Sequence, residues 1–322
     1  MAGTKERAWL DVAPRAGGGL WRLPLLRVSG AAPGPRLAVL GAVHGDEYDG
    51  PEVIHHVFEQ VDAGALRGEL LMVPVCNVAA YEAAQRLNPI DGANLARVFP
   101  GRPNGTLTER FAHAITEHVI RGSAALIDLH SAGLAYNLPT LGGYTHSDSA
   151  LHRANRALAE AFDAPILWAH PAPIPPGRSL SAADALGVPS MYTEAAGGGR
   201  VSAETLARFT QGVFNVLRHL GMLAGAPQRA GQPLRLIGDG NLDRVIDAPC
   251  AGHFRAEVRL LDHVRAGQRL GAIYDLTGAL LTPVHADAPG VVILLRAMHR
   301  VHAGDGLVHL TQVQAQGEAN TP

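Results

Sequence analysis

The sequence predicts an α/β fold, a mostly parallel sheet flanked by helices, followed by a small all-β domain. Three observations lead there. Through the first two-thirds of the chain, short apolar runs alternate with amphipathic helical patterns, as expected of a mostly parallel sheet covered on both faces. After Met222 the composition changes, and residues 224–233 (AGAPQRAGQP) have the Pro, Gly and polar content of a linker. Beyond them come only short β-like segments separated by turns rich in Gly, Asp and Pro. A chain of 322 residues also exceeds the usual single-domain size of roughly 100–200, so two domains are expected. We place them at residues 1–229, with a core of about 30–222, and at residues 230–322.

Each element has its own signal. Residues 36–42 (RLAVLGA) form a buried strand that stops at a turn containing Gly and His. Residues 51–61 read as a helix, with Pro51 in the first turn and Val53, Val57 and Val61 on one stripe. Residues 70–75 and 124–129 are further buried strands. Between them residues 106–119 form a helix opened by a Thr106–Glu109 capping box ahead of Phe111, Ile115 and Val119. Helix 149–162, strand 165–169 and a last strand at 190–194 follow. Helix 202–220 carries Leu206, Phe209, Val213, Val216 and Leu220 on its stripe and stops at Gly221. In the second domain we expect strands near 245–246, 253–259, 269–274, 290–295 and 306–311. Of residues 1–30, only 21–28 carry a strand signal, read as an edge strand.

Bulk composition narrows the function. Hydrophobic residues make up 47% and charged residues 17%, enough for a real core. A net charge of −2 supplies no field to recruit nucleic acid or an anionic membrane. Cys76 and Cys250 lie too far apart in sequence to form a C-x-x-C pair and read as small buried hydrophobes. The first residues include Lys5, Glu6, Arg7, Asp11 and Arg15 but no apolar h-region, and no segment has the length of a membrane span. A soluble cytoplasmic protein is the expectation.

The chemistry lies at strand ends. His44-Gly45-Asp46-Glu47 follows the first strand, where side chains of an open α/β sheet face the ligand crevice. His44 and Glu47 can curl to offer an imidazole and a carboxylate to one metal ion. On spacing alone they also read as a capped turn with a surface acid. Asp128-Leu129-His130 ends another strand, and residues two apart share a face. His130 can therefore supply a third ligand and Asp128 the carboxylate that fixes its ring from behind. Asp128 reads equally as a helix cap or ion-pair partner. Three such ligands with one open position suit catalytic zinc. Glu194 closes the last strand before a glycine run, 197–199, and can shuttle a proton or be a surface acid before a flexible loop.

Together these residues and the run Arg86-x-Asn88-Pro89-x-Asp91-Gly92-x-Asn94-Leu95-x-Arg97-x-Phe99-Pro100-Gly101 resemble the succinylglutamate desuccinylase and aspartoacylase family, over residues 37–199 and in the same order. The resemblance implies a zinc carboxypeptidase-like fold and one Zn²⁺ per chain, held by His44, Glu47 and His130. It implies Glu194 as general base and proton donor, Arg86 as stabiliser of the oxyanion, and Arg97 as the grip on a substrate carboxylate. The chemistry fits those roles. Zinc lowers the pKa of its water to about 7, and a guanidinium fork matches a carboxylate at two points. One position departs from the family: Ala96 stands where an asparagine usually helps the arginine, which puts substrate identity in question and leaves Asn94 as a candidate substitute.

Most of the sixteen histidines are decoys. His55 and His56 diverge on a helix, His113 and His118 miss a common face, and His299 and His302 fall on opposite strand faces. His146 and His170 are less settled. His170 precedes the proline-rich loop 171–176, which reads as a rim or lid. The C-terminal segments GQRLGAIYD, ADAPGVV and VHAGDGLV resemble a biotinyl/lipoyl-type barrel-sandwich module, yet Lys5 is the sole lysine, so no biotin or lipoyl group can be carried there. In related deacylases such a domain narrows the active-site mouth. The expected activity is hydrolysis of the amide of a small N-acyl amino acid or related N-acylated amine. Two other readings are a carboxypeptidase-type peptidase using the same atoms and a non-catalytic binding protein. A homo-oligomer stays open.

Overall fold

The computed structural model describes residues 2–241 and 244–314. Strands β1 (Thr4–Pro14) and β2 (Leu20–Ser29) form a hairpin, followed by β3 (Ala32–Gly41), helix α1 (Asp49–Gln60) and β4 (Arg67–Val73). Next come α2 (Val78–Glu82), α3 (Leu107–Ile115), β5 (Ala125–Leu129), β6 (Tyr136–Asn137) and β7 (Leu141–His146). Then α4 (Ala150–Phe162), β8 (Ile166–Pro171), α5 (Ser179–Ala185), β9 (Ser190–Glu194) and α6 (Ala203–His219) complete the part rich in helices.

The remainder is all strand: β10 (Leu234–Ile237), β11 (Ile246–Asp247), β12 (Gly252–Ala256), β13 (His263–Val264) and β14 (Arg269–Tyr274). It ends with β15 (Leu280–His285), β16 (Gly290–Arg296), β17 (Arg300–Val301) and β18 (Gly306–Val313). The α/β class with a second, strand-built part is as the sequence predicts.

One mixed sheet organises the molecule, in the order β1-β2-β4-β3-β5-β9-β7-β8-β10-β18-β16-β13. Its centre, β4-β3-β5-β9, is parallel. β9, the last strand of the helical part in sequence, lies in the middle because β7 and β8 occupy the positions outside it. β7 runs antiparallel to β9 and parallel to β8. The expected edge strand at 21–28 is corrected: β2 is covered on one side by β4 and on the other by β1, which forms the edge and pairs from Thr4 to Pro14.

Both faces of the sheet are buried, as the continuous apolar runs require. On one face α1, α4 and α6 pack Val53, Phe58, Phe162 and Phe209 against Val39, Ile127 and Met191. On the other, α3 and its continuation set Phe111, Ile115 and Val119 against Leu40, Leu71 and Leu126. The capping box of α3 forms as expected, with Thr106 and Glu109 each accepting the other's backbone N–H. The last turn widens into a π-helix at Thr116–Ile120.

The sheet continues past residue 230. β10 pairs in parallel with β8 and antiparallel with β18, so the strand-built part shares a hydrogen-bonded ladder with the rest. A separate sheet, β15-β14-β12-β17, faces β18 and β16 across Phe254, Leu270, Ile273, Val292 and Leu307. Among the described residues no helix is long and apolar enough to cross a membrane.

Candidate metal centre and active site

Three neighbouring parallel strands deliver the site. β3, β5 and β9 end side by side, with Gly41 opposite Leu129 and Leu129 opposite Thr193. His44, His130 and Glu194 therefore emerge along one edge. The chain leaves β3 through a sharp bend at Ala42, whose φ of 43° is unusual for a residue with a side chain. Gly45 then passes so close to α2 that a Cβ there would lie 2.1 Å from the Ala80 carbonyl carbon, so glycine is required. A turn hydrogen bond from Glu47 N to His44 O brings both side chains to one side.

Glu47 is the hub. Its Oε1 lies 2.7 Å from His44 Nδ1 and accepts from Arg86 at 3.1 Å. Its Oε2 lies 2.9 Å from His130 Nδ1 and accepts from Ser131 N at 3.2 Å. One ligand atom from each of His44, Glu47 and His130 falls within 4.8 Å of the others.

The far side of each imidazole fixes which nitrogen faces the centre. Asn94 Oδ1 accepts from Ala96 N at 2.9 Å, which identifies it as the carbonyl oxygen, and it sits 3.1 Å from His44 Nε2. A carbonyl only accepts, so Nε2 carries the proton and the neutral ring turns the lone pair of Nδ1 inward. Asp128 Oδ2, 3.1 Å from His130 Nε2, does the same for the second ring and itself receives the Ser179 hydroxyl. Both Nδ1 atoms thus face one carboxylate in a buried spot, an arrangement that would hold a cation between them. Borderline nitrogen and oxygen donors in this number suit zinc.

The protonation balance reflects the same crowding. Burial works against ionising Glu47, but His44 and His130 outweigh it and hold its carboxyl well below the usual carboxylate range. Burial also opposes charge on His130, yet Asp128 and Glu47 raise it well above the ordinary imidazole value. His44 moves down, through burial and then the Arg86 guanidinium. Glu194 is pushed up to about 8 by burial first and by the negative Glu47 second. Its Oε2 has no hydrogen-bond partner.

A cavity of about 90 Å³ opens on these groups, bordered by His44, Arg86, Arg97, His130 and Glu194. One water needs about 10–15 Å³ of such space, so the cavity suits a small molecule. The expected residues reach it with two exceptions, Glu47, which is buried against His44 and His130, and Asn94. Asn94 is not part of the lining: its carbonyl oxygen is engaged by His44 and by its own turn, a 3₁₀ segment at Leu95–Arg97. Its carbonyl oxygen holds His44 from behind, a different contact from the one expected beside Arg97. Arg97 lines the cavity and donates to Ala96 O at 2.9 Å. Of the decoy histidines, His55, His56, His118, His299 and His302 are exposed and His113 is half-buried.

His170 and the loop after it border the cavity, the loop through Ile174 and Pro175. Sequence reasoning missed Tyr192, Thr145 and Arg178 in the same lining. The signal for Tyr192 was present, since it stands two residues before Glu194 in a strand and so shares its face.

A sequence profile of the succinylglutamate desuccinylase/aspartoacylase catalytic domain matches residues 33–220, and the chain belongs to that family. Among characterised proteins it is similar to the N-alpha-acetyl-L-2,4-diaminobutyric acid deacetylase of Halomonas elongata, with 30% identity over 283 residues, 87% of this chain and 83% of that protein. Among solved structures it is similar to the product-bound ectoine utilization protein EutE (DoeB) of Ruegeria pomeroyi, at 29% identity and a TM-score of 0.88, covering 97% and 96% of the two chains. A succinylglutamate desuccinylase from Silicibacter sp. TM1040 superposes with a TM-score of 0.87 at 26% identity, over 97% and 95%.

Proposed function

We propose that the chain is a zinc-dependent amidohydrolase that removes the acyl group from a small N-acylated amino acid, with residues 1–229 as catalytic part and 230–322 narrowing the mouth. The observation that carries this reading is the set His44, Glu47 and His130, held with both Nδ1 atoms turned toward one carboxylate. When bound there, zinc would supply Lewis acidity, polarising an amide carbonyl and making water a better nucleophile at neutral pH. Membership of a deacylase family and the similarity to a deacetylase support the reaction class.

The protein's own groups complete the chemistry. Glu194, buried at the cavity wall with an unengaged oxygen, takes a proton from the attacking water and returns it to the leaving nitrogen. A carboxyl shifted toward neutral pH suits a group that must do both. Arg86 donates to Glu47 at the cavity edge and serves as the guanidinium for the oxyanion. Such a donor is worth on the order of 2.7–4 kcal/mol, by analogy with measured oxyanion holes. Arg97 holds the substrate carboxylate. Asp128 and Asn94 keep the two imidazoles in the ligating tautomer.

The relative from Halomonas elongata points to an N-α-acetylated diamino acid as the first substrate to try. The test is a panel of N-acyl amino acids against short peptides, with Glu194→Gln alongside. We expect turnover of an N-acyl amino acid, and in E194Q retained zinc with a loss of roughly 10²–10⁴-fold in kcat. Turnover of peptides alone, or undiminished activity in E194Q, contradicts the proposal.

A further inference from the structure

Past Glu194, the cavity runs along one face of the sheet. Glu194 and Tyr192 are two apart in β9 and share that face, and Tyr192 stands opposite Gly143 in β7. Thr145 and His170 continue the row, paired across β7 and β8. Gly143 makes room for the Tyr192 ring, because a Cβ there would come 1.9 Å from Tyr192 Cε1.

The hydrogen bonds in this row have a fixed direction. His170 Nδ1 lies 2.9 Å from Gly238 O, a carbonyl that only accepts, so the proton is on Nδ1. His170 Nε2 lies 2.9 Å from the Tyr192 hydroxyl and must then be the acceptor. The two rings stack at 5.7 Å and 23°. Close approach of the segment after β10 is built in, since a Cβ at Gly240 would meet His170 Nδ1 at 2.6 Å. Burial keeps the imidazole neutral, pushed down to about 4. The Tyr192 proton is therefore committed to His170, and only oxygen lone pairs remain for the cavity.

We propose that Tyr192 is a specificity-determining residue whose hydroxyl oxygen accepts a hydrogen bond from a side-chain ammonium on the amine part of the substrate. Because Glu194 serves the leaving nitrogen, the space next to it along β9 belongs to the amine part. The inference rests on that reading of Glu194. A second, independent observation lies beside Tyr192: Thr145 Oγ1 borders the same cavity, fully buried and without a hydrogen-bond partner. Asp239, which also pairs with Arg244 at 3.6 Å, adds a carboxylate to the lining. Arg178, a guanidinium that also lines the cavity, donates to Pro175 O at 3.1 Å and Asn241 Oδ1 at 3.3 Å. A carboxylate ligand in this place would need the Tyr192 proton and would strip His170 Nε2 of its donor. At the Tyr192 oxygen the wiring thus selects a donor over an acceptor.

Calorimetric binding to the zinc-loaded full-length protein tests this with two probes of similar shape, L-2,4-diaminobutyrate and L-norvaline, which carries a methyl in place of the second amine. Wild type should prefer the diamine. Tyr192→Phe, which keeps the ring, should weaken the diamine about tenfold or more, as for loss of a hydrogen bond to a charged group, and change norvaline less than twofold. Thr145→Val, a near-isosteric second variant, should shift the same ratio in the same direction. Equal losses for both probes, or no loss of the diamine in either variant, overturn the proposal. Hydrolysis of the N-acetyl derivatives, measured in parallel, separates the two claims. Retained binding preference without turnover of either derivative supports the Tyr192 assignment and speaks against N-acetyl hydrolysis.

Discussion

The site is a set of residues whose freedom has been removed one bond at a time. Asn94 and Asp128 each hold a ring nitrogen from behind, and Arg86 and Ser131 each hold an oxygen of Glu47. The three residues of the candidate metal centre are legible because each sits at a strand end in a motif that carries its own chemistry. Asn94 is not, since its direction depends on a local 3₁₀ turn that sequence spacing does not fix. For His170 the sequence shows only its place before the proline-rich loop, because its partners, Tyr192 and Gly238, are far from it in sequence. Its burial has a consequence for stability. The unfolded imidazole takes a proton near the ordinary 6.5, whereas the folded one resists until about 4. Between those values the unfolded chain binds more protons, so stability present above pH 6.5 is lost as pH falls toward 4. The shift corresponds to about 3 kcal/mol. Denaturant titrations at pH 7 and pH 4.5 should show a steeper acid loss in wild type than in His170→Gln; parallel losses contradict the account.

Elements were read well where periodicity is strong and poorly where glycine or shortness masks it. Strand 190–194 and helices α1, α3, α4 and α6 match their predicted positions to within a few residues. β7 was missed because LGGYTH carries two glycines, a composition that reads as a turn. Gly143 is there to admit Tyr192, a contact between strands that no local pattern reveals. The same principle of space governs α6 on the opposite face. Gly212 sits on its buried side against Phe162, where an added Cβ would come 2.6 Å from the ring. Alanine is favoured over glycine inside a helix by about 0.8–1.0 kcal/mol, but overpacking a buried site typically costs about 1–3 kcal/mol. Gly212→Ala should therefore lower stability in denaturant titration. A gain approaching the helix-propensity value would show that α6 and α4 are loosely docked.

At the scale of the molecule, strand order decides function. β9 carries Glu194 to the centre only because β7 and β8 lie outside it, a nonlocal pairing that composition and periodicity do not encode. The family resemblance supplied what those patterns could not. Likewise the strand-built part was legible as β structure, while its union with the catalytic sheet through β10 and β18 was not. That shared ladder, with Leu236 buried at its centre beside Trp168 and Ile293, couples the two parts. Unfolding followed by far-ultraviolet circular dichroism and by tryptophan fluorescence should give one coincident transition, and two separated transitions would contradict the coupling.

The central claim is that His44, Glu47 and His130 share one divalent cation, and anomalous diffraction at the zinc edge tests it most directly. The account predicts a single strong peak per chain, roughly 2.0–2.2 Å from both Nδ1 atoms and a Glu47 oxygen. A zinc-replete crystal with no peak there, or with the peak held by other residues, would contradict it.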